Sequence, residues 1–295
     1  MNNRVEIVWD EGCPHVDEAR AAVRAALAAA QLPRRWGEWN VSEAFAPRSV
    51  CAYGSPTILV DGADVTGAEP AGASSCRVYL HDDGSTAAAP PVEVVRTALE
   101  RPTGPVRARA FPWIETDRLV IWVPGARDAQ NVLDYHHVNA EHHEPWTPLR
   151  PDGFHTLEYW AVKLDEQRRE FMEDRSACFV AARREEPGTV IAEASFRNFV
   201  RGAFQACHLG YDVDAAHEGQ GFMRETLEAT IGYVFEELNL HRVMANHLPE
   251  NERSAALLKR LGFEREGHAT AYLNIAGQWR DHVLNALVNP DWTSA

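Results

Sequence analysis

The run LGYDVDAAHEGQGFM, residues 209–223, constrains the fold more than any other stretch of this 295-residue chain. It reads as a short strand, a polar turn and a loop, Gly219-Gln220-Gly221, that opens a helix. Met223 to Leu238 continues with Leu227, Ile231, Val234, Phe235 and Leu238 at helical spacing. Glycines at the mouth of a helix let backbone N–H groups approach a phosphate closely, and the helix dipole favours negative charge there. The arrangement is suited to a pyrophosphate, although Gly-x-Gly before a helix is also ordinary turn punctuation.

The downstream order adds to this. His241–His247 reads as a strand. Pro249-Glu250-Asn251-Glu252-Arg253-Ser254 then opens a second helix, with Ala255, Leu257, Leu258 and Leu261 at its apolar positions. Gly262 stops it, and Phe263 begins the next extended segment. Strand, G-x-G turn, helix, strand, N-x-x-S and helix in this order resemble the acetyl-CoA-binding core of the GNAT N-acetyltransferases. Both glycines of the signature Q/R-x-x-G-x-G/A are present, with Ala216 in the place of the Gln or Arg. Asn198–Tyr211, Tyr272–Trp292, Glu144–Pro148 and Thr116–Leu119 narrow the resemblance to the RimJ type of ribosomal-protein-alanine N-acetyltransferase, from about Trp113 to Trp292.

The resemblance implies an acetyl-CoA-dependent acyltransferase working by direct attack of an amine within a ternary complex. Backbone donors of Glu218, Gly219, Gln220, Gly221, Phe222 and Met223 are expected to cradle the pyrophosphate, and Asp212 and Val213 to pair with the pantetheine arm. A β-bulge in that strand is expected to splay it from its neighbour. Asn251 is expected to contact the cofactor arm or cap its helix, and Ser254 to protonate the departing thiolate or serve as a small first-turn residue. The general base is open among His247, Asn246 and Glu193. Alternation along a strand puts only one of Asn246 and His247 on the site face. Glu193 reads more simply as a solvated strand-edge residue, and Ala271 stands where related enzymes often carry an acid. Trp146, Tyr272 and Trp279 are expected to wall the acceptor site, with core packing the alternative for Trp279. His136, His137, Glu141, His142, His143 and Glu144 invite a metal, but adjacent histidines on a helix diverge by about 100°, and the expectation is no metal.

Upstream lies a second unit. Val5–Trp9 reads as a strand, followed by Gly12-Cys13-Pro14-His15-Val16 and a helix to about Ala30. Arg35–Asn40, Ser55–Gly62 and Cys76–Leu80 read as strands, and Val92–Leu99 as a helix. A strand running into Cys-Pro at a helix start, with a later Pro56-Thr57 strand, resembles the thioredoxin-like fold. Val16 occupies the place of its second cysteine, so Cys13 is a single candidate redox thiol, or else a packing or capping residue. The whole is expected to be a mixed α/β chain. A thioredoxin-like domain spans 1–100 and a Pro/Gly/Arg-rich linker 101–110. A GNAT domain follows over 111–295, with a central, mostly antiparallel, splayed sheet flanked by helices.

A net charge of −14 argues against direct nucleic-acid binding, which needs a positive field, and suits a basic acceptor. Five scattered cysteines and no export signal or membrane-length apolar run point to the cytoplasm. The expected acceptor is the N-terminal alanine or serine of a protein, such as a ribosomal protein. The alternatives are a small amine or antibiotic, and a redox-sensing module in which Cys13 controls the acetyltransferase. Oligomeric state is left open.

Overall fold

The computed structural model describes residues 4–68, 76–80, 86–100 and 110–293. The chain divides into two units, Met1–Glu115 and Thr116–Ala295.

In the first unit, β1 (Val5–Trp9), α1 (Val16–Ala29) and β2 (Arg35–Asn40) precede α2 (Arg48–Cys51), β3 (Thr57–Val60) and β4 (Ala63–Asp64). The small pair β5 (Tyr79–Leu80) and β6 (Thr86–Ala87), then α3 (Val92–Leu99) and β7 (Phe111–Glu115), complete it. The sheet order is β7-β2-β1-β3-β4, with β1 parallel to β2 and the other pairs antiparallel. Every residue of β1 is buried, and α1 covers the sheet with Ala19, Ala22, Val23, Ala26 and Leu27 at helical spacing. Buried Glu38 accepts from Trp9 Nε1 and Trp36 Nε1, both at 3.0 Å, and pairs with Arg20 at 2.7 Å, so its charge is fully engaged.

Two sequence expectations shift here. Phe111–Glu115, expected within the second domain, pairs antiparallel with β2 (Arg35↔Ile114, Gly37↔Pro112) and belongs to the first unit. The expected linker 101–110 lies outside the described residues except for Ala110. Cys13 is half-buried three residues before the first residue of α1, in a turn where its N–H bonds Asp10 O at 2.9 Å; the helix cap is His15. The Ser55–Pro56 bond is cis, and all five cysteines are free thiols.

The second unit begins with β8 (Leu119–Trp122), α4 (Ala129–Val138), α5 (Ala140–His143) and α6 (Leu157–Met172). The long antiparallel strands β9 (Ala177–Arg183), β10 (Glu186–Val200) and β11 (Ala206–Val213) follow. Then come α7 (Phe222–Glu236), β12 (Arg242–His247), α8 (Glu252–Arg260), β13 (Glu264–Ile275) and β14 (Gln278–Val288). The sheet order is β8-β9-β10-β11-β12-β14-β13, and β11–β12 is its parallel pair. Helices flank both faces. Phe179 meets Tyr233 of α7 on one face at 5.7 Å between ring centroids, and Phe196 packs edge-on against Phe179 at 6.0 Å. Glu193, of opposite strand parity, reaches His136 of α4 on the other. Among the described residues no helix is long and apolar enough to cross a membrane.

Candidate functional site

The central opening is made by two strands that part. β11 and β12 pair only at Ala206↔Arg242, Cys207↔Val243 and His208↔Met244, although β11 runs on to Val213 and β12 to His247. From Leu209 onward, β11 presents its backbone groups to a cleft of about 1710 Å³ instead of to β12. On its other edge the ladder with β10 is unbroken from Arg197↔His208 to Ala192↔Val213. The expected bulge within β11 is therefore not what splays the sheet; the register shifts lie at Arg197/Val200 and near the start of β10. A free strand edge of this kind accepts an extended, amide-bearing chain.

At one end of the cleft the chain turns into α7. Asp214 caps a short turn through Ala216 N (2.9 Å) and receives His217 Nδ1–H (2.8 Å). Gly219 (φ +72°) and Gly221 (φ +81°) take the left-handed conformation, and Gly221 is the N-cap of α7. No atom stands within 4 Å of where a Cβ on Gly219 would lie. The first N–H groups of α7 have no intrahelical acceptor, so the loop has room and donors for a phosphate. Gln220 turns away: its side chain bonds Ala216 O at 2.8 Å, and it does not line the cleft. Its carbonyl accepts from Arg118 Nη1 at 2.9 Å, and the guanidinium lies 4.3 Å from the Phe222 ring centroid. Arg118 thus brings a cation to the loop whose signature position is Ala216.

Glu225, in the first turn of α7, holds Arg118 in place. It accepts from Thr116 Oγ1 (2.6 Å), Arg118 N (3.0 Å) and Arg118 Nε (2.7 Å). Burial alone would raise its pKa, but these donors outweigh it and hold the carboxyl below its ordinary 4.5. A depressed folded-state pKa contributes stability that is fully present above about 4.5 and is lost as pH falls through the folded value. Glu225→Gln is expected to lower the melting temperature at pH 7 and to flatten its decline towards pH 4. Melts of both proteins across that range check this; parallel curves would remove the role.

Across the opening, Asn251 caps α8, its Oδ1 accepting Ser254 N at 3.0 Å. Ser254 Oγ lies 2.7 Å from Tyr211 OH. Burial pushes the Tyr211 phenol up to about 12, so it keeps its proton at neutral pH. His247 is buried, and its Nδ1–H donates to Leu248 O at 2.9 Å, which leaves Nε2 as the basic nitrogen. Both Asn246 and His247 border the cleft. The expectation that only one could do so is not met at the C-terminal end of β12, where β11 no longer pairs with it. Asn246 Nδ2 donates to Tyr272 OH at 3.4 Å, and Tyr272 stacks at a tilt on the cleft residue His282.

The remaining predicted positions sort by the same cleft. Asp212, Val213, Glu218, Gly219, Gly221, Phe222 and Met223 line it, as do Asn251, Ser254 and Trp146. Trp279 does not; it is 67% exposed on β14 and neither packs in a core nor walls the site. The histidine-rich segment is dispersed among separate partners. His136 faces Glu193, His142 meets Glu218 at 3.2 Å, and His143 Nε2–H donates to Val213 O at 3.0 Å. Among the described residues no group of three or more His, Cys, Asp or Glu could hold a metal ion. Glu193 is not a solvated edge residue: it stands opposite Asp212 and lines the cleft with it. Tyr211 and Arg118 lay within the resemblance segments Asn198–Tyr211 and Thr116–Leu119, but neither was singled out there as a site residue.

The acetyltransferase (GNAT) domain model matches residues 118–264. The [ribosomal protein uS5]-alanine N-acetyltransferase of Escherichia coli (strain K12) is 43% identical over 180 residues, covering 61% of this chain and 92% of that protein. The crystal structure of ribosomal-protein-S5-alanine acetyltransferase from Vibrio fischeri superposes with a TM-score of 0.59 at 35% identity, covering 62% of this chain and 99% of that one. RimJ of Mycobacterium smegmatis in complex with CoA-disulfide gives 0.55 at 27% identity, covering 60% and 85%.

Proposed function

Because the chain belongs to the GNAT acetyltransferase family and is an N-acetyltransferase that uses acetyl-CoA, we propose that it acetylates the α-amine of a protein N-terminus, an alanine or serine of a ribosomal protein. The observation that carries this reading is the free Leu209–Val213 edge of β11, whose Tyr211 reaches Ser254 of α8 across the cleft. The acceptor class is supported by the 43% identical relative, named for alanine of ribosomal protein uS5. The net charge of −14 supports a basic partner through electrostatic steering.

Acetyl-CoA supplies an acyl group activated as a thioester. The N–H groups from Glu218 to Met223 would hold its pyrophosphate, with Arg118 adding positive charge beside the loop. The backbone of Asp212 and Val213 and the side chain of Asn251 would line the pantetheine arm. Ser254 would protonate the leaving sulfur and draw its own proton from Tyr211, a stronger acid than an alcohol even at about 12. His247 Nε2 and Asn246 sit at the far end of the opening, and Trp146 would flank the entering peptide; Tyr272 does not line the cleft and backs Asn246 and His282 from outside it. Attack is read as direct, within a ternary complex, in the cytoplasm.

We read the first unit as thioredoxin-like. Its strand order β2-β1-β3-β4, with a parallel β1–β2 pair joined through α1 and antiparallel β3 and β4, supports this. Cys13 as a single redox thiol belongs to the same reading.

Turnover of acetyl-CoA on alanine- and serine-starting basic peptides, set beside polyamines and aminoglycosides, tests the acceptor. The expected result is a kcat/KM at least 10²-fold higher for the peptides, about 3 kcal/mol of preference. Turnover confined to the small amines would overturn the reading.

A further inference from the structure

A protein N-terminus has a pKa near 8 and arrives at pH 7 mostly as an ammonium ion. The cleft must both hold that cation and strip a proton from it. The face of the sheet below α4 carries groups fit for both tasks. Glu193 of β10 and Asp212 of β11 are directly opposed in the antiparallel register, so their side chains leave the same face side by side. Both line the cleft, and the Glu193 side chain is 18% exposed, enough to reach a ligand in it.

Two imidazoles close the group, and that of His143 keeps a ring nitrogen without a partner. His136 is 3% exposed and lies flat on Trp160 at 4.4 Å. Its Nε2 pairs with Glu193 Oε1 at 3.3 Å. His143 is 5% exposed; its Nε2–H is committed to Val213 O, which leaves Nδ1 a bare acceptor with no partner. Buried polar atoms are seldom left unpaired in a folded protein, and both histidines border the same cleft.

We propose that Glu193, Asp212 and the Nδ1 of His143 form the seat of the acceptor's primary ammonium, with Glu193 binding the cation and Asp212 taking its proton. This rests on the reading that the acceptor is an amine docked from the α4 side of the cleft. Three N–H donors of an ammonium match two carboxylates and one imidazole lone pair. His136 is a positioning residue: it faces Glu193 from α4 and sets its orientation.

Charges around the seat fit these roles. Burial alone would raise the Glu193 pKa, but His136, Arg197 and Arg150 outweigh it and keep the carboxylate ionised. Burial and the neighbouring Glu193 charge raise the Asp212 pKa above its ordinary value, against the hydrogen bond it accepts from the Tyr135 hydroxyl. A carboxylate made more basic in this way is a better proton acceptor at neutral pH. In the reaction one N–H proton passes from the acceptor nitrogen to Asp212, and the freed lone pair forms the C–N bond as the C–S bond breaks. The sulfur takes a proton from Ser254, which Tyr211 resupplies; the amide nitrogen sheds its second proton to solvent, from which Tyr211 is reprotonated, and Asp212 returns its proton to solvent. The balance is one amide, one thiol and one released proton.

The test pairs a change of ligand with changes of protein. On the CoA-saturated enzyme, calorimetry compares an alanine-starting hexapeptide with the same peptide lacking its α-amino group. The seat predicts at least tenfold tighter binding of the amino form to wild type, and loss of that preference in Glu193→Gln. Loss of a charged hydrogen bond is expected to raise the peptide KM about 10- to 100-fold. Asp212→Asn, which keeps an acceptor for Tyr135, is expected to lower kcat about 10²-fold or more, beyond the weakening of peptide binding that loss of its charge brings. Unchanged acetyl-CoA affinity in both variants establishes that the fold is intact. Equal binding of the two peptides by wild type overturns the seat, as does an unaltered amine KM in Glu193→Gln. If small amines alone are turned over, the acceptor reading fails but the seat does not, and the same variants are scored on that amine.

Discussion

Gly221→Asp is expected to weaken acetyl-CoA binding by about 10³-fold while leaving the protein folded. The two halves of that expectation come from the same position. Gly221 is the N-cap of α7 at φ +81°, and a Cβ there would lie 3.5 Å from Arg118 Nη2, an ordinary contact. Aspartate is among the better N-cap residues and suits the positive end of the helix dipole, which offsets the roughly 1–2 kcal/mol cost of the left-handed backbone. The new carboxylate, however, would occupy the ground of a phosphate and attract Arg118 to itself. Two like charges about 4 Å apart repel by about 4 kcal/mol at an effective dielectric near 20, which corresponds to about 10³ in affinity. Calorimetry with acetyl-CoA measures this directly. Gly221→Ala separates the causes, since it adds the backbone strain without the charge and should cost at most tenfold. An affinity within a few-fold of wild type for the aspartate variant would move the phosphate site elsewhere.

The second large effect is on turnover rather than binding. Ser254→Ala is expected to lower kcat about 10²-fold with little change in the KM for acetyl-CoA, the signature of an interaction used as the bond breaks. The substitution is structurally mild. Asn251 caps α8 through the backbone N–H of residue 254, which alanine retains, and alanine favours the helix. The hydroxyl removed is the one 2.7 Å from Tyr211 OH, so Tyr211→Phe should reduce kcat in the same direction, and the double variant should lose little more than Ser254→Ala alone. Steady-state kinetics on acetyl-CoA and peptide decide the matter. A KM effect with kcat intact would make Ser254 a binding residue.

Much of this site was legible because it is local. Gly219 and Gly221 announced a left-handed turn into a helix, and both adopt it. Asn251 three residues before Ser254 announced an N-cap, and the side chain makes that bond. Gly262 closed α8 at φ +84° where the apolar spacing ran out. Other readings failed where a local rule met long-range geometry. Alternation along β12 was correct, yet both Asn246 and His247 reach the cleft because the strand ends in it. Phe111–Glu115 was read by its neighbours in sequence, whereas its partner is a strand more than seventy residues earlier. Trp279 sits in a specific-looking motif but on the outward face of a hairpin.

The amino-acid sequence by itself determined the order of strand, glycine turn, helix, strand and capped helix from Leu209 to Leu261, because caps, left-handed glycines and 3.6-residue spacing act within one or two turns of chain. Only the tertiary structure decided what stands beside that turn and across from it. Arg118 reaches Gln220 over 102 residues, His143 reaches Val213 over 70, and Glu193 meets Asp212 through the register of two strands. None of these pairings has a local signal, since each depends on how the sheet closes. A shift of β10 by one residue would turn Glu193 to the opposite face and take the acid pair apart.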